Sequence, residues 1–166
     1  MATKSAKKNQ SNITPFLWFD GKVEEAINFY VSVFKNSKIL SVMRLPGKAP
    51  GTKGKIMTAT IMLDGQKFMA LDGGPNFKFS PAVSFFVDCD TQKEVDTIWE
   101  KLSKGGAPNR CGWIDDKFGV TWQIIPRTLG ELMYDKDPVK SQRVMQAMLK
   151  MGKINIKELQ KAYNQK

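Results

Sequence analysis

The order strand, amphipathic helix and hairpin occurs twice in this chain, and a tandem repeat constrains the fold more than any other feature. Apolar segments at 13–19 and 82–87 predict the first strand of each half, and helical apolar spacing predicts helices at 22–34 and 92–102. The apolar positions of the two helices match at an offset of 69 residues. The matched pairs are Ala26 with Val95, Phe29 with Ile98, Tyr30 with Trp99, and Val33 with Leu102.

Each half also closes on a strand that begins with a glycine. Residues 65–70, GQKFMA, resemble residues 119–124, GVTWQI. Asp64-Gly65 is a strong signal for a two-residue hairpin turn. Residues 46–55, rich in Gly, Pro and Lys, predict a loop, and their spacing does not match a phosphate-binding loop. Further strands are predicted at 38–45, 56–63, 66–71, 111–115 and 120–126, and helices at 129–133, from Pro138 onward and at 156–163.

Composition excludes several classes of protein. The chain has no histidine, two cysteines, and no apolar run of the about 20 residues that span a bilayer, so we expect no membrane association. Two cysteines in 166 residues do not form a disulfide framework, which favours a cytoplasmic protein with reduced thiols. The net charge of +10 comes from lysines spread along the chain without a nucleic-acid motif. A solvated basic surface is therefore favoured over a nucleic-acid partner, and residues 1–12 are expected to be a disordered basic tail.

Four segments together resemble one known family. They are ITPFLWFDGKVEEAINFY at 13–30, FMALDGGP at 68–75, CGWIDDKFGVTWQIIP at 111–126 and KSQRVMQAMLKMGKINIKEL at 140–159. This combination resembles the PhnB-like family of the vicinal oxygen chelate superfamily, which includes glyoxalases, bleomycin-resistance proteins and extradiol dioxygenases. Such proteins are often labelled 3-demethylubiquinone-9 3-methyltransferases. The residues do not support that label, because the chain lacks the Gly-rich turn between strand and helix that holds a nucleotide-type methyl donor.

The resemblance implies an α+β fold in which two tandem βαβββ modules form a curved mixed sheet around a cavity. The glyoxalase-like domain is expected at 13–127, with modules at about 13–75 and 82–126, followed by a helical extension at 128–166. The resemblance also implies a homodimer and a small-molecule ligand.

In metal-dependent relatives, four His or Glu side chains bind a divalent ion inside the cavity. An alignment by eye places those positions at Pro15, Ala70, Ala82 and Gln123, with a slip of one residue allowed. Proline and alanine have no donor atom, and a neutral amide is a poor ligand for a divalent ion. We therefore expect neither the inherited metal nor any other cofactor.

Strand alternation from those positions selects the side chains expected to line the cavity. Aromatic residues with a few polar groups are the usual composition of a small-molecule site. The candidate ligand-binding residues are Leu17, Phe19, Ser84, Phe86, Trp113, Thr121 and Gln123, with Asp72, Ile125 and Cys111 close to them.

Three of these residues admit two roles each. Asp72 is a weak candidate for a general base, and a cap for the Gly73-Gly74 turn is the favoured alternative. Gln123 either positions a ligand or bonds a neighbouring strand. Cys111 is more consistent with packing than with a nucleophile, because the chain has no histidine to activate it.

Three functions remain open at this stage. The first is a module that binds a small organic molecule without chemistry, and the second is a metal-free enzyme of the same superfamily. The third is a basic interaction protein whose tails and C-terminal helices dock an acidic partner or nucleic acid. The first is preferred, and the residues do not decide whether the protein is an enzyme.

Overall fold

The structure is a computed structural model that describes residues 12–47 and 53–165. The chain divides into two compact units, with the boundary after Asn76. Each unit contains a four-stranded mixed sheet in which the first strand is parallel to the last and the other pairs are antiparallel. This arrangement confirms the α+β fold with two βαβββ modules that the repeat predicts. No helix in the described ranges is long and apolar enough to cross a membrane.

In the sheet of unit 1, the strands lie side by side in the order first, fourth, third and second along the chain. Asp64 and Gly65 have φ angles of 43° and 84°, as a two-residue turn with two left-handed positions requires. The third strand begins at Lys53, so residues 53–55 are strand rather than the predicted loop, and residues 48–52 of that loop lie outside the described residues. The elements are β1 (Phe16–Phe19), α1 (Val23–Val33), β2 (Lys38–Pro46), β3 (Lys53–Leu63) and β4 (Gln66–Asp72).

The core of unit 1 lies between α1 and one face of its sheet. Ala26, Ile27 and Tyr30 of the helix are fully buried. Strand alternation presents every second residue of the central strands to them. The buried side chains of that sheet face are Leu17, Phe19, Ala59, Ile61, Leu63, Phe68 and Ala70.

Unit 2 repeats this plan with shorter strands and adds three helices. In its sheet, the strands lie side by side in the order fifth, eighth, seventh and sixth along the chain. The fifth strand begins at Ser84 rather than at Ala82, and the seventh begins at Trp113 rather than at Cys111. The strand Ala107–Pro108 was not predicted, because two residues are too few to show a period. The elements are β5 (Ser84–Cys89), α2 (Gln92–Ser103), β6 (Ala107–Pro108), β7 (Trp113–Asp115), β8 (Thr121–Pro126), α3 (Arg127–Met133), α4 (Pro138–Met148) and α5 (Ile156–Tyr163).

One face of the unit 2 sheet packs against α2. Val95 and Leu102 of α2 are fully buried, as are Ile114 and Ile124 of the sheet. The rings of Phe85 and Trp122 lie on the same face, 5.2 Å apart. Of the matched helix pairs, Ala26 with Val95 and Val33 with Leu102 are buried in both units, whereas Tyr30 is buried and Trp99 is half-buried.

The C-terminal helices are anchored to unit 2 by a second apolar cluster and by hydrogen bonds. The Gln92 side chain at the start of α2 donates to the Ile154 carbonyl at 3.0 Å and accepts from the Ile156 N–H at 2.8 Å. Lys153 forms an ion pair of 2.6 Å with Asp96. The buried members of the cluster are Ile125, Leu129, Val144, Met151, Ile154 and Leu159.

Candidate functional site

The face of the unit 2 sheet opposite α2 presents two rows of side chains, which we call the open face of unit 2. The strand register places Phe86, Gln123 and Trp113 side by side across β5, β8 and β7. The second row, displaced by two residues, contains Ser84, Thr121 and Asp115. Five candidate residues from the sequence therefore lie on one face of one unit.

The first row is an amide between two aromatic rings. Neighbouring strands are about 4.8 Å apart, so the Cα atoms of Phe86 and Trp113 are about 10 Å apart on either side of Gln123. Phe86 is 58% exposed, although large apolar side chains are normally buried. Trp113 and Gln123 are half-buried. The row thus offers apolar surface with one hydrogen-bonding group at its centre.

The second row is a polar network that fixes the first. Gln123 Nε2 donates to Ser84 Oγ at 2.8 Å. Thr121 Oγ1 donates to Asp115 Oδ1 at 2.5 Å, and Asn109 donates to the other oxygen of that carboxylate at 3.2 Å. Gln123 therefore bonds a neighbouring strand, which is one of the two roles that the sequence left open.

Leu17 and Phe19 lie elsewhere. Both are buried on the face of the unit 1 sheet that packs against α1, where the ring centroids of Phe19 and Tyr30 are 6.4 Å apart. Their predicted orientation toward a cavity is therefore corrected: they are core residues. The opposite face of that sheet presents Phe16 and Trp18.

The cause of this error is a difference of one residue between the two repeats. The helices match at an offset of 69, but Phe16 of β1 is opposite Met69 of β4 in the same way that Phe86 is opposite Gln123. The first strands of the two units therefore match at an offset of 70 residues, one more than the offset of their helices. The resemblance of 65–70 to 119–124 already pairs Met69 with Gln123, so the signal was present in the sequence.

In neither unit do the residues at these positions fit a divalent ion. The equivalent positions on the faces opposite the helices are Phe16 and Met69 in unit 1 and Phe86 and Gln123 in unit 2. None carries a carboxylate, an imidazole or a thiolate, the ligands that divalent ions prefer. Within residues 12–47 and 53–165, no three or more His, Cys, Asp or Glu side chains come together as a metal site. Ala82 precedes its strand, and Ala70 is buried under α1.

The Asp72 carboxylate has a structural partner. Its Oδ1 accepts a hydrogen bond of 2.7 Å from the backbone N–H of Gly21, which has a φ of 68°. Asp72 therefore ties the end of β4 to the turn between β1 and α1, rather than capping the Gly73-Gly74 turn. That turn is closed by Trp18, whose indole N–H donates to the Gly74 carbonyl at 2.9 Å.

Cys111 lies in the segment that joins the C-terminal extension to the sheet. Its φ of 58° is unusual for a residue with a Cβ atom. Its backbone N–H donates to the Met151 carbonyl at 2.8 Å, and its Sγ lies 3.7 Å from the Met148 carbonyl oxygen. Ile125, two residues after Gln123 on β8, is also covered by this extension. Both residues therefore contribute to packing.

Sequence reasoning missed Asp115 and Asn109. Counting two residues on from Trp113 identifies Asp115 as a member of the same face, so the period of the strand was a usable signal. Asn109 comes close only because β6 pairs with β7, and a two-residue strand leaves no pattern in a sequence.

Comparison with known proteins agrees with the fold. Residues 11–125 match the sequence profile of the family described as 3-demethylubiquinone-9 3-methyltransferase. A solved structure from Bacillus cereus, described as a 3-demethylubiquinone-9 3-methyltransferase and PhnB protein, is 42% identical; the match covers 70% of this chain and 99% of that chain, with a TM-score of 0.64. The protein PA1353 from Pseudomonas aeruginosa is 23% identical over 70% of this chain and 98% of its own, with a TM-score of 0.59. No protein in a search of curated sequences matches. The chain therefore belongs to the family described as 3-demethylubiquinone-9 3-methyltransferase, which includes PhnB-like proteins.

Proposed function

We propose that this protein binds a small, partly apolar organic molecule on the open face of unit 2, without a metal ion. This proposal rests on the row that Phe86, Gln123 and Trp113 form across three strands. Two aromatic side chains with an amide acceptor between them suit a flat molecule that has at least one hydrogen-bond donor. Free thiols at Cys89 and Cys111 are consistent with a cytoplasmic location, which is part of this proposal.

The row would select its ligand by shape first and by polarity second. Contact with both rings favours a planar group about as long as the gap between the two outer strands. The Gln123 oxygen accepts from a donor on the ligand, because its amide nitrogen is already bonded to Ser84. A ligand without a donor would leave this acceptor unpaired and would bind more weakly.

The first experiment is native mass spectrometry of untagged protein purified gently from its own source. We expect an organic adduct, whose mass gives the class of ligand. A stoichiometric mass increment equal to a divalent metal ion would overturn the metal-free part of the proposal.

A substitution pair tests the location of the site. Phe86→Ala should weaken binding of that ligand by about tenfold, since losing one aromatic contact costs about 1–2 kcal/mol. Phe77→Ala is the matched control, because Phe77 belongs to the same unit and is 66% exposed but lies outside the sheet. Equal effects of the two substitutions would show that the open face is not the site.

A metal-free enzyme with Asp72 as its base is the alternative, and one substitution separates it from a binding protein. Asp72→Asn keeps an oxygen that accepts from the Gly21 N–H, so the turn should remain intact. If the protein is found to turn over any substrate, survival of that turnover in this variant would remove Asp72 as the base. The family's methyltransferase description gains no support from the strand-to-helix turns, since the turn between β1 and α1 contains a single glycine, Gly21.

We also propose that the chain forms a homodimer through the edge strand β2 of unit 1. An edge strand presents unpaired backbone groups, and natural proteins usually protect it with charge or a cover. This nine-residue strand instead exposes several large apolar side chains. The exposed side chains are Ile39, Leu40, Val42, Met43 and Leu45.

Mass measured in solution tests this part of the proposal. We expect the wild-type chain to have twice its monomer mass, and Val42→Lys to shift it to the monomer. Val83→Lys, which changes an equally apolar side chain that is 70% exposed in unit 2, is the control and should leave the dimer unchanged. A monomeric wild type would refute dimerisation.

A further inference from the structure

A groove in the C-terminal extension has the features of a second binding site. It lies between α4 and α5, has a volume of about 290 Å³, and belongs wholly to unit 2. Its floor is apolar and consists of Ala147, Met151 and Ala162. None of the residues that line the groove belongs to the open face of unit 2, and all of them follow residue 125, where the match to the family profile ends.

The wall on the α4 side carries a guanidinium group with unused hydrogen-bonding capacity. Arg143 Nε is buried and has no hydrogen-bond partner among the described residues. Nη2 of the same side chain donates a long hydrogen bond of 3.4 Å to the Tyr163 carbonyl. A buried donor without a partner costs about 1–3 kcal/mol, and more for a charged group, so an acceptor that comes within hydrogen-bonding distance of Nε recovers this energy.

Tyr163, whose carbonyl accepts from Arg143, is itself held by two contacts. The Tyr163 hydroxyl donates to Asp135 Oδ2 at 2.8 Å, and the Lys140 ammonium lies 4.9 Å from the centre of the Tyr163 ring. These contacts join α5 to the start of α4 and to the segment before it. The positions of α4 and α5 are therefore held by residues that do not line the groove.

The charges on the rim indicate what the groove can accept. Arg143 and Lys150 contribute two positive charges, and Glu158 contributes one negative charge. In the described part of the chain, none of the ion pairs joins either cation to Glu158. An arginine beside a lysine above an apolar floor matches an acid group attached to a short apolar body, because guanidinium groups bind carboxylate and phosphate oxygens in pairs.

We propose that the groove between α4 and α5 binds a small organic anion, a carboxylate or a phosphate monoester with a short apolar part. The acid group lies on Arg143 and Lys150, and the apolar part lies on Ala147, Met151 and Ala162. Glu158 repels the anion and keeps the affinity low, so the site responds to concentration changes rather than holding its ligand permanently.

Titration of the full chain with butyrate and with n-butyl phosphate tests the proposal, with NMR amide shifts as the readout. We expect saturable shifts confined to residues of α4 and α5, at millimolar concentrations, since such small molecules have few atoms to contribute binding energy. n-Butanol, which has the same apolar part without the charge, should produce no saturable shift. The absence of saturable shifts with either anion, or equal binding of butanol, would overturn the proposal.

Matched charge substitutions separate this site from general attraction to a basic protein. Lys150→Gln should weaken anion binding by about fivefold, whereas Lys157→Gln, on the exposed part of α5 outside the groove, should change it by less than about twofold. Glu158→Gln should strengthen binding by removing the repulsion. Equal effects of the two lysine substitutions would show diffuse electrostatics and would refute a defined site. Unchanged shifts elsewhere in the spectrum check that each variant is folded.

Discussion

The turn between β7 and β8 depends on one buried carboxylate, and its removal gives the sharpest test of the structure. Asp116 is 4% exposed, and its Oδ1 accepts from the backbone N–H groups of Phe118 and Val120 at 2.8 and 3.1 Å. Its Oδ2 accepts from the indole N–H of Trp122 at 2.9 Å, and Trp122 is 2% exposed. This carboxylate therefore fixes the start of β8, the strand that carries Gln123 of the open face.

Substitution of Asp116 should lower the free energy of unfolding by amounts that follow from the bonds lost. Asp116→Asn keeps the oxygen that serves the two backbone groups but turns an NH₂ group toward the indole N–H. One buried donor then loses its partner, at a cost of about 2–3 kcal/mol. Asp116→Ala leaves three donors without partners and should cost about 3–5 kcal/mol.

A double-mutant cycle isolates the bond between the carboxylate and the indole. Trp122→Phe removes the donor, so in its presence Asp116→Asn no longer opposes two N–H groups. The two changes should therefore be non-additive by about 1–2 kcal/mol in urea unfolding followed by circular dichroism. Asp64→Asn, at the exposed turn of the first hairpin, is the control and should lie within about 0.5 kcal/mol of wild type. Additivity within about 0.5 kcal/mol would refute the reasoning.

Two further predictions concern other parts of unit 2. Gly112→Ala should lower the free energy of unfolding by about 3 kcal/mol, because φ is +81° and a Cβ atom would lie 2.9 Å from a backbone oxygen. Gly119→Ala, at φ +85° with open space around it, should lower it by only about 1 kcal/mol. Equal losses in thermal unfolding would contradict this difference. The backbone N–H of Asp137, and then the Tyr163 hydroxyl, hold the pKa of Asp135 below its usual 3.8. The resulting stability is therefore present above pH of about 4 and is lost as the pH falls through the lowered pKa. Tyr163→Phe should raise that pKa in a carboxyl NMR titration, and an unchanged value would remove the tyrosine as a cause.

The two repeats show which parts of the fold could be predicted from the sequence. The apolar spacing of the helices was sufficient to identify α1 and α2 within two residues at each end, because a buried helix face needs a residue every three or four positions. The face of a strand is a weaker inference. A period of two means that an error of one residue reverses every side chain, and this is what happened to Leu17 and Phe19.

The open face shows the same contrast. Ser84, Phe86, Trp113, Thr121 and Gln123 were selected by alternation along separate strands, and the register of β5, β8 and β7 places them in two rows. Their alignment across strands depends on hydrogen bonds between segments up to about 40 positions apart in the chain, which no local pattern encodes. The groove between α4 and α5 depends in the same way on how two helices pack.

Residue type and short-range periodicity were enough to predict two βαβββ modules followed by helices, because the sequence contains both directly. The contacts of three polar side chains depended instead on the folded structure: Asp72 bonds the Gly21 turn, Asp116 is a buried acceptor for Trp122, and Arg143 lines a groove. Each of these depends on a contact between distant segments, where burial and hydrogen bonding, rather than local preference, set the role of a polar side chain.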